Sequence, residues 1–278
     1  MKVRRKPEWW LPENEGGFFG IHYMMGDDSN EGPYRKKHRT LSERTTREVN
    51  FLWNYLGLTP ETHLLDCPCG YGRHSINLAM MGAKVTGVDI NADFLKRARE
   101  AMERLGISSS RLQFRQGDMR DTRLETASFE AVINMFTSFG FFDSDADNKQ
   151  VIREYSRVLK TGGSLLIHLD YNPIKLEKGR WYDENHQRTL KNGARLIVVE
   201  DYNSKTKLIS GYWKIVSPDP GVPDKKLYYN LRVYSPQDLY EILTNCGFTD
   251  IQILGNLEEP TESLNEHSLE TVIKATKR

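Results

Sequence analysis

Three carboxylates in this chain close short apolar runs: Asp66 after Leu64-Leu65, Asp89 after Val85-Thr86-Gly87-Val88, and Asp118 after the run that starts at Leu112. Asn134 closes a fourth, Ala131-Val132-Ile133. Gly70 and Gly72 lie between the first two acids, and Asp89 follows Gly70 by 19 residues. Glycine lets a ligand come close to the backbone because it has no Cβ and tolerates positive φ. An acid at this distance is where a nucleotide-binding α/β unit grips a ribose. An ionised carboxylate has two acceptor oxygens, so Asp89 can take hydrogen bonds from both ribose hydroxyls. The full Gly-x-Gly-x-x-Gly of a pyrophosphate site is not present, because Ser75 stands three residues after Gly72.

Such groups are useful only if strands deliver them to one edge. Leu64 to Ser75 reads as strand, tight turn and helix N-terminus, leading into Ile76, Leu78, Ala79, Met80 and Met81. Upstream, Thr40 and Glu43 have capping-box spacing, and Leu41, Thr45, Val49, Leu52, Trp53 and Leu56 share one helical face. Asn91 can cap a helix carrying Phe94, Leu95, Ala98, Met102 and Leu105, closed by Gly106. Residues 145–159 form another amphipathic segment, and Gly162-Gly163 turns into a fifth strand over 164–170. Alternating strands and helices with continuously apolar strands imply an α/β fold, doubly wound around a parallel sheet covered on both faces. From Tyr171 the rhythm changes. Residues 194–202, 207–217 and 226–234 alternate as strands with no helix between them, so they pair antiparallel. One face of this sheet is core, and the other lines a pocket, meets water or makes a homodimer contact. Ser235-Pro236 then starts a helix, and 251–254 with 271–275 supply a closing hairpin.

Taken together, Leu65-Asp66-Cys67-Pro68-Cys69-Gly70-Tyr71-Gly72-Arg73-His74-Ser75, Val88-Asp89, Gly117-Asp118-Met119-Arg120, Asn134-Met135-Phe136-Thr137-Ser138-Phe139-Gly140 and Val158-Leu159-Lys160-Thr161-Gly162-Gly163 resemble the motifs of class I S-adenosylmethionine-dependent methyltransferases, small-molecule branch. The resemblance covers residues 60–170 and fades on both sides. It implies a mainly parallel, seven-stranded Rossmann-like sheet, completed by the C-terminal helix and hairpin at 235–278. Residues 171–234 would be an inserted antiparallel lid, and residues 1–40 an N-terminal arm over the site. It implies S-adenosyl-L-methionine as cofactor. Gly70 and Gly72 would run beneath its methionine part, Asp89 would bind the ribose, and Asp118 with the Met119 backbone would address the adenine. Asp66, Ile90 and Asn134 complete the implied cofactor set. Pro68 stands where the family most often has glycine, so that position offers no N–H.

Methyl transfer is an in-line displacement that asks the protein mainly to align reactants and exclude water. Aromatic walls suffice for an amine acceptor, whereas a hydroxyl or acidic carbon is helped by a base. His22, His168, Asp170 and Tyr171 are the candidates, with Tyr23 as a positioner. Tyr34 joins them as a site residue if the N-terminal arm covers the acceptor, and otherwise these aromatics anchor the arm. His168, inside an otherwise apolar strand, reads first as a packed core histidine, and His74 as a cap or support of the glycine loop.

The formal net charge of +1 over 278 residues argues against a dedicated nucleic-acid binder. The basic run Arg35-Lys36-Lys37-His38-Arg39 keeps an RNA or DNA methyltransferase as an alternative, and a non-catalytic, cofactor-binding regulatory protein is another. No apolar run approaches the roughly 18 residues that span a bilayer, and the first residues lead into no signal-peptide core, so a cytoplasmic protein is expected. The three cysteines, Cys67, Cys69 and Cys246, fit a reducing compartment. Cys67-x-Cys69 has one intervening residue and no second ligand pair, so it reads as packing and no metal is expected.

Overall fold

The computed structural model describes residues 8–27, 40–179, 187–258 and 260–278. Tyr34 and the basic run at 35–39 lie outside the described residues. In chain order the elements are α1 (Ile21–Asp27), α2 (Leu41–Tyr55), β1 (His63–Asp66), α3 (Arg73–Met81), β2 (Lys84–Asp89), α4 (Ala92–Arg104), β3 (Leu112–Gln116), β4 (Phe129–Asn134), α5 (Asp145–Val158), β5 (Leu159–Leu169) and α6 (Pro173–Glu177). Then come β6 (Gln187–Thr189), β7 (Arg195–Asn203), β8 (Leu208–Val216), β9 (Lys225–Arg232), α7 (Pro236–Asn245), β10 (Phe248–Leu254) and β11 (Thr271–Lys277). They divide into two compact units, Met1–Arg44 with Gly179–Val233, and Thr45–Lys178 with Tyr234–Arg278.

The second unit holds a seven-stranded sheet of order β10-β11-β5-β4-β1-β2-β3. All neighbours from β5 to β3 run parallel, and β11 runs antiparallel to both β5 and β10. Winding starts at β1, proceeds outward through β2 and β3, then returns to β4 on the other side, so the switch point lies between β1 and β4. Ligands of open α/β sheets sit at the carboxyl ends of the strands there. The central strands are apolar without alternation because both faces are covered: Leu64, Leu65, Val132, Ile133, Leu165 and Leu166 have no exposed surface. Each such side chain contributes roughly 1.5–3 kcal/mol on burial.

Helix boundaries follow local chemistry. The Thr40–Glu43 capping box forms, with Thr40 N–H donating to Glu43 Oε2 at 2.7 Å and Glu43 N–H to Thr40 Oγ1 at 3.2 Å. Asn91 Oδ1 accepts from the Asp93 and Phe94 amides, and Ser235 with Asp238 makes a second capping box before α7. β5 begins earlier than the sequence indicates. It starts at Leu159, and its register against β4 slips between the Phe129–Leu159 and Ala131–Ser164 pairs. Gly162-Gly163 is therefore an irregularity inside a strand, not a turn ahead of one. Asn172 caps the short helix α6 through its side chain before the antiparallel stretch begins.

The first unit is a four-stranded antiparallel sheet, β6-β7-β8-β9, one strand more than the three read from the sequence. The added β6 pairs with β7 at the edge. Leu196, Ile209, Ile215, Leu227 and Leu231 are buried on one face. The aromatics of the N-terminal segment complete this small core: Phe18 meets Trp213 and Tyr229 edge-on at 5.0 and 5.1 Å, and Tyr23 stacks on Trp213 at 5.9 Å.

Candidate active site

The parallel sheet brings Asp66, Asp89 and Asn134 to its carboxyl edge, as the last residues of β1, β2 and β4. Asp66 and Asn134 are 1 % and 0 % exposed, and each keeps one oxygen, Oδ1, without a hydrogen-bond partner among the described residues. The remaining polar atoms are engaged. Ser75 Oγ donates to Asp66 Oδ2 at 2.5 Å, and Asn134 Nδ2 donates to Tyr155 Oη at 2.8 Å. Buried acceptors are almost always satisfied, so two orphaned oxygens on adjacent strands at the switch point call for a donor from a ligand. Burial pushes the Asp66 carboxyl up to about 7, opposed by the Ser75 hydrogen bond and the Arg73 charge.

The turn between β1 and α3 is bare. Gly70 and Gly72 have φ of 55° and 84°. A Cβ on Gly70 would meet nothing within 4 Å, whereas one on Gly72 would lie 2.8 Å from Phe114 Cζ and 3.0 Å from Ala98 Cβ. Gly72→Ala is therefore expected to lower stability by about 2–3 kcal/mol, from positive-φ strain plus overpacking. Gly70→Ala carries strain alone and is expected to lower it by about 1 kcal/mol. Urea denaturation of the two variants checks the order.

Asp89 organises this turn from the next strand. Its Oδ2 accepts the Gly70 N–H at 2.7 Å and its Oδ1 the Asn91 N–H at 2.8 Å. Burial raises its carboxyl to about 6, opposed by the hydrogen bonds from the backbone amides of Asn91, Gly70 and Ile90. Each oxygen retains lone-pair capacity for a further donor. Asp118 is differently placed, because Arg120 clamps it: Arg120 Nη2 donates to Oδ2 at 2.6 Å and Nε to Oδ1 at 3.1 Å. The Arg120 guanidinium lies 4.2 Å from the centroid of the Phe142 ring. Met119 is buried, and the Ile90 carbonyl accepts from Gln116 Nε2 at 3.0 Å. An unblocked turn, two orphaned acceptors and a buried acid along one edge fit the amino-acid and ribose parts of an adenosyl cofactor.

Three supports of this edge are not legible in the sequence. Tyr155 of α5 is fully buried, and its hydroxyl donates to the Cys67 carbonyl at 2.6 Å while accepting from Asn134. Glu48 of α2 accepts from Arg73 and lies 2.9 Å from His74 Nε2, which fixes the first turn of α3. Glu270, just ahead of β11, faces His168 across 102 residues of sequence. A local motif cannot reveal such partners, since only the sheet and its covering helices bring them together.

At the end of β5, His168 is 2 % exposed. Its Nδ1 lies 3.3 Å from the Phe136 amide and its Nε2 3.2 Å from Glu270 Oε2. The Asp170 amide donates to Thr137 Oγ1 at 2.6 Å. A ring nitrogen of His168 and carboxylate oxygens of Asp170 and Glu270 lie mutually within 4.8 Å. Tyr171 is buried, with its carbonyl accepting from Thr271 Oγ1. His22 and Tyr23 belong to the other unit and have partners there: His22 Nδ1 lies 2.6 Å from Glu13 Oε1, and Tyr23 packs among Phe18, Phe19 and Trp213. Cys67 and Cys69 are buried, unbridged thiols whose burial, beside the Asp89 and Asp66 carboxylates, holds them well above the ordinary thiol range. They stay protonated, which suits packing and not metal binding.

Comparison with known proteins adds independent findings. Residues 64–163 match the family model described as a methyltransferase domain. YqeM of Bacillus subtilis, whose naming as a methyltransferase is provisional, is 32% identical over 204 residues, covering 70% of this chain and 77% of that protein. The 27-O-demethylrifamycin SV methyltransferase of Amycolatopsis mediterranei is 27% identical over 182 residues, 65% of each chain. In structure, the amino pentose methyltransferase CalS10 of Micromonospora echinaspora, solved with S-adenosylmethionine bound, superposes with a TM-score of 0.65 over 94% of this chain and 99% of its own, at 18% identity.

Proposed function

We propose the following reaction for this chain, which belongs to the class I S-adenosylmethionine-dependent methyltransferases: in-line transfer of a methyl group to a small-molecule acceptor. When bound, S-adenosylmethionine supplies a methyl group made electrophilic by the positive charge on its sulfur. The chain's own residues hold and align the reactants and exclude water, which is most of what such a displacement requires. In this reading Gly70 and Gly72 admit the methionine part, and the free oxygens of Asp66 and Asn134 accept from its ammonium group. Asp89 takes the ribose hydroxyls, while Ile90, Asp118 and Met119 border the adenine. The observation that carries the proposal is the pair of buried, partnerless acceptors on β1 and β4 at the switch point.

His168, Asp170 and Tyr171 are proposed to handle the acceptor, because they lie at or just beyond the carboxyl end of β5, the strand next to β4. By their names, the relatives act on demethylrifamycin SV and on an amino pentose, which supports a small-molecule acceptor. No helix among the described residues is long and apolar enough to cross a membrane. The three free cysteines support the cytoplasm as the proposed location. Calorimetric titration of the full chain with S-adenosylhomocysteine tests the reading: saturable one-to-one binding is expected, and no detectable binding would overturn it.

A further inference from the structure

His168 is enclosed by groups that define where its proton sits. Glu270, 4 % exposed, accepts the Leu257 N–H on Oε1 at 2.9 Å and turns Oε2 towards His168 Nε2 at 3.2 Å. On the other side of the ring the Phe136 N–H points at Nδ1 at 3.3 Å. A backbone N–H can only donate, so Nδ1 is the acceptor, and the ring proton is on Nε2, donated to Glu270. The neutral imidazole thus carries its lone pair on the side of the loop after β4. A carboxylate behind the ring also stabilises the imidazolium that forms when Nδ1 takes a proton, the arrangement of a general base and its orienting acid.

The same loop joins His168 to the glycine turn. The Arg73 guanidinium, next in sequence after Gly72, stands 5.8 Å from the centroid of the Phe136 ring, and that ring is 6.3 Å from the His168 ring. Phe136 and Thr137 have φ of 60° and 59°, a region that residues with a Cβ seldom occupy and that clusters at functional sites. At 3.3 Å the Phe136 contact is a weak hydrogen bond, which a protic group on an acceptor can displace. Among the described residues, the charged groups placed around the ring are Glu270 ahead of β11 and Asp170 after β5, with Arg73 beyond Phe136.

The cluster of His168, Asp170 and Glu270 also has the residue types of a divalent-cation site. The Phe136 N–H against the His168 ring argues otherwise. A metal-ligating histidine donates its other ring N–H to an acceptor, whereas here the other nitrogen faces a donor. The ring therefore brings a proton, not a lone pair, to the Glu270 carboxylate.

We infer that Glu270 is a positioning residue that holds His168 as its Nε2–H tautomer, and that His168 Nδ1 takes the proton of the acceptor during methyl transfer. The substrate class that follows is a protic nucleophile: a hydroxyl, an amine or a carbon acid. The acceptor's proton passes to Nδ1, its freed electron pair forms the bond to the methyl carbon, and the old carbon–sulfur pair stays on sulfur. No further reactant is needed. This inference rests on the methyltransferase reading, and its test separates the two.

Long-range proton–nitrogen NMR of the uniformly labelled full chain, with His168 assigned through His168→Gln, is expected to show Nε2–H with Nδ1 unprotonated. An Nδ1–H ring, or His168 signals broadened by added Mn²⁺, would overturn the inference. In Glu270→Gln the Nε2–H proton signal is expected to move upfield, because its hydrogen bond to a charged acceptor is lost, and an unmoved signal would overturn the positioning role. In a tritium-methyl assay against hydroxylated and amino small molecules, His168→Gln is expected to lower kcat about 100-fold and Glu270→Gln about tenfold, with affinity for S-adenosylhomocysteine unchanged in both. Unchanged kcat in His168→Gln contradicts the inference while leaving the methyltransferase reading intact. Failure of the wild type to bind S-adenosylhomocysteine contradicts the reading itself.

Discussion

Asp89→Ala is expected to weaken S-adenosylhomocysteine binding by at least about 100-fold. The carboxylate does two jobs that alanine cannot. It accepts the Gly70 and Asn91 amides at 2.7 and 2.8 Å, holding the turn that the ligand must approach. It also offers the acceptor capacity proposed for the ribose. A hydrogen bond to a charged group contributes about 1.5–3 kcal/mol, and each buried amide left unsatisfied costs about 1–3 kcal/mol, so a loss of two orders of magnitude is a lower bound. Asp89→Asn keeps the shape and one acceptor oxygen and is expected to lose about tenfold. The effect also depends on pH. With the carboxyl at about 6 in the folded chain, the doubly accepting, ionised form is depleted as pH falls through 6, and affinity should fall with it. Calorimetry between pH 5 and 8 gives both comparisons, and equal affinity at the two ends would show that Asp89 does not hold the ligand.

Asp66→Asn should act in opposite directions on stability and on binding. Burial raises this carboxyl from 3.8 to about 7. Between those values the folded chain holds a proton that the unfolded chain has released, so wild-type stability falls as pH rises from about 4 to 7 and is then level. Below pH 4 both states are protonated, and the full contribution is present. A neutral amide removes the dependence. At pH 8 the avoided charge burial is on the order of 4 kcal/mol. A new buried amide donor where Oδ1 has no partner subtracts about 1–3 kcal/mol. Urea unfolding at pH 8 should therefore show Asp66→Asn more stable by about 2 kcal/mol, with the advantage gone at pH 4. Affinity for S-adenosylhomocysteine should fall at least about tenfold, because the orphaned acceptor has become a donor. A destabilised variant at pH 8 would mean that Asp66 is not a penalised buried charge.

Much of the carboxyl edge of the parallel sheet could be read in the chain because its determinants are local. The strands end at Asp66, Asp89 and Asn134, glycines punctuate the turn at 70 and 72, and caps such as Asn91 lie within three residues of the amides they serve. What escaped was set at longer range. β5 reaches back to Leu159 because that residue pairs with Phe129 of β4. Strand β6 has three residues and forms against β7. The seven-residue α1, with a glycine at position 26, has too little periodic signal to register as a helix. Glu48, Tyr155 and Glu270 act on partners 21 to 102 residues away. His22 and Tyr23 were picked out by chemical type, yet their types also suit the roles they have, one beside Glu13 and the other against Trp213.

The Tyr155 hydroxyl has a consequence for how such a chain can change over generations. One phenol is hydrogen-bonded both to the Cys67 carbonyl, at the entry to the glycine turn, and to the Asn134 amide, at the entry to the loop after β4. Remodelling either loop therefore disturbs the hydroxyl that also anchors the other.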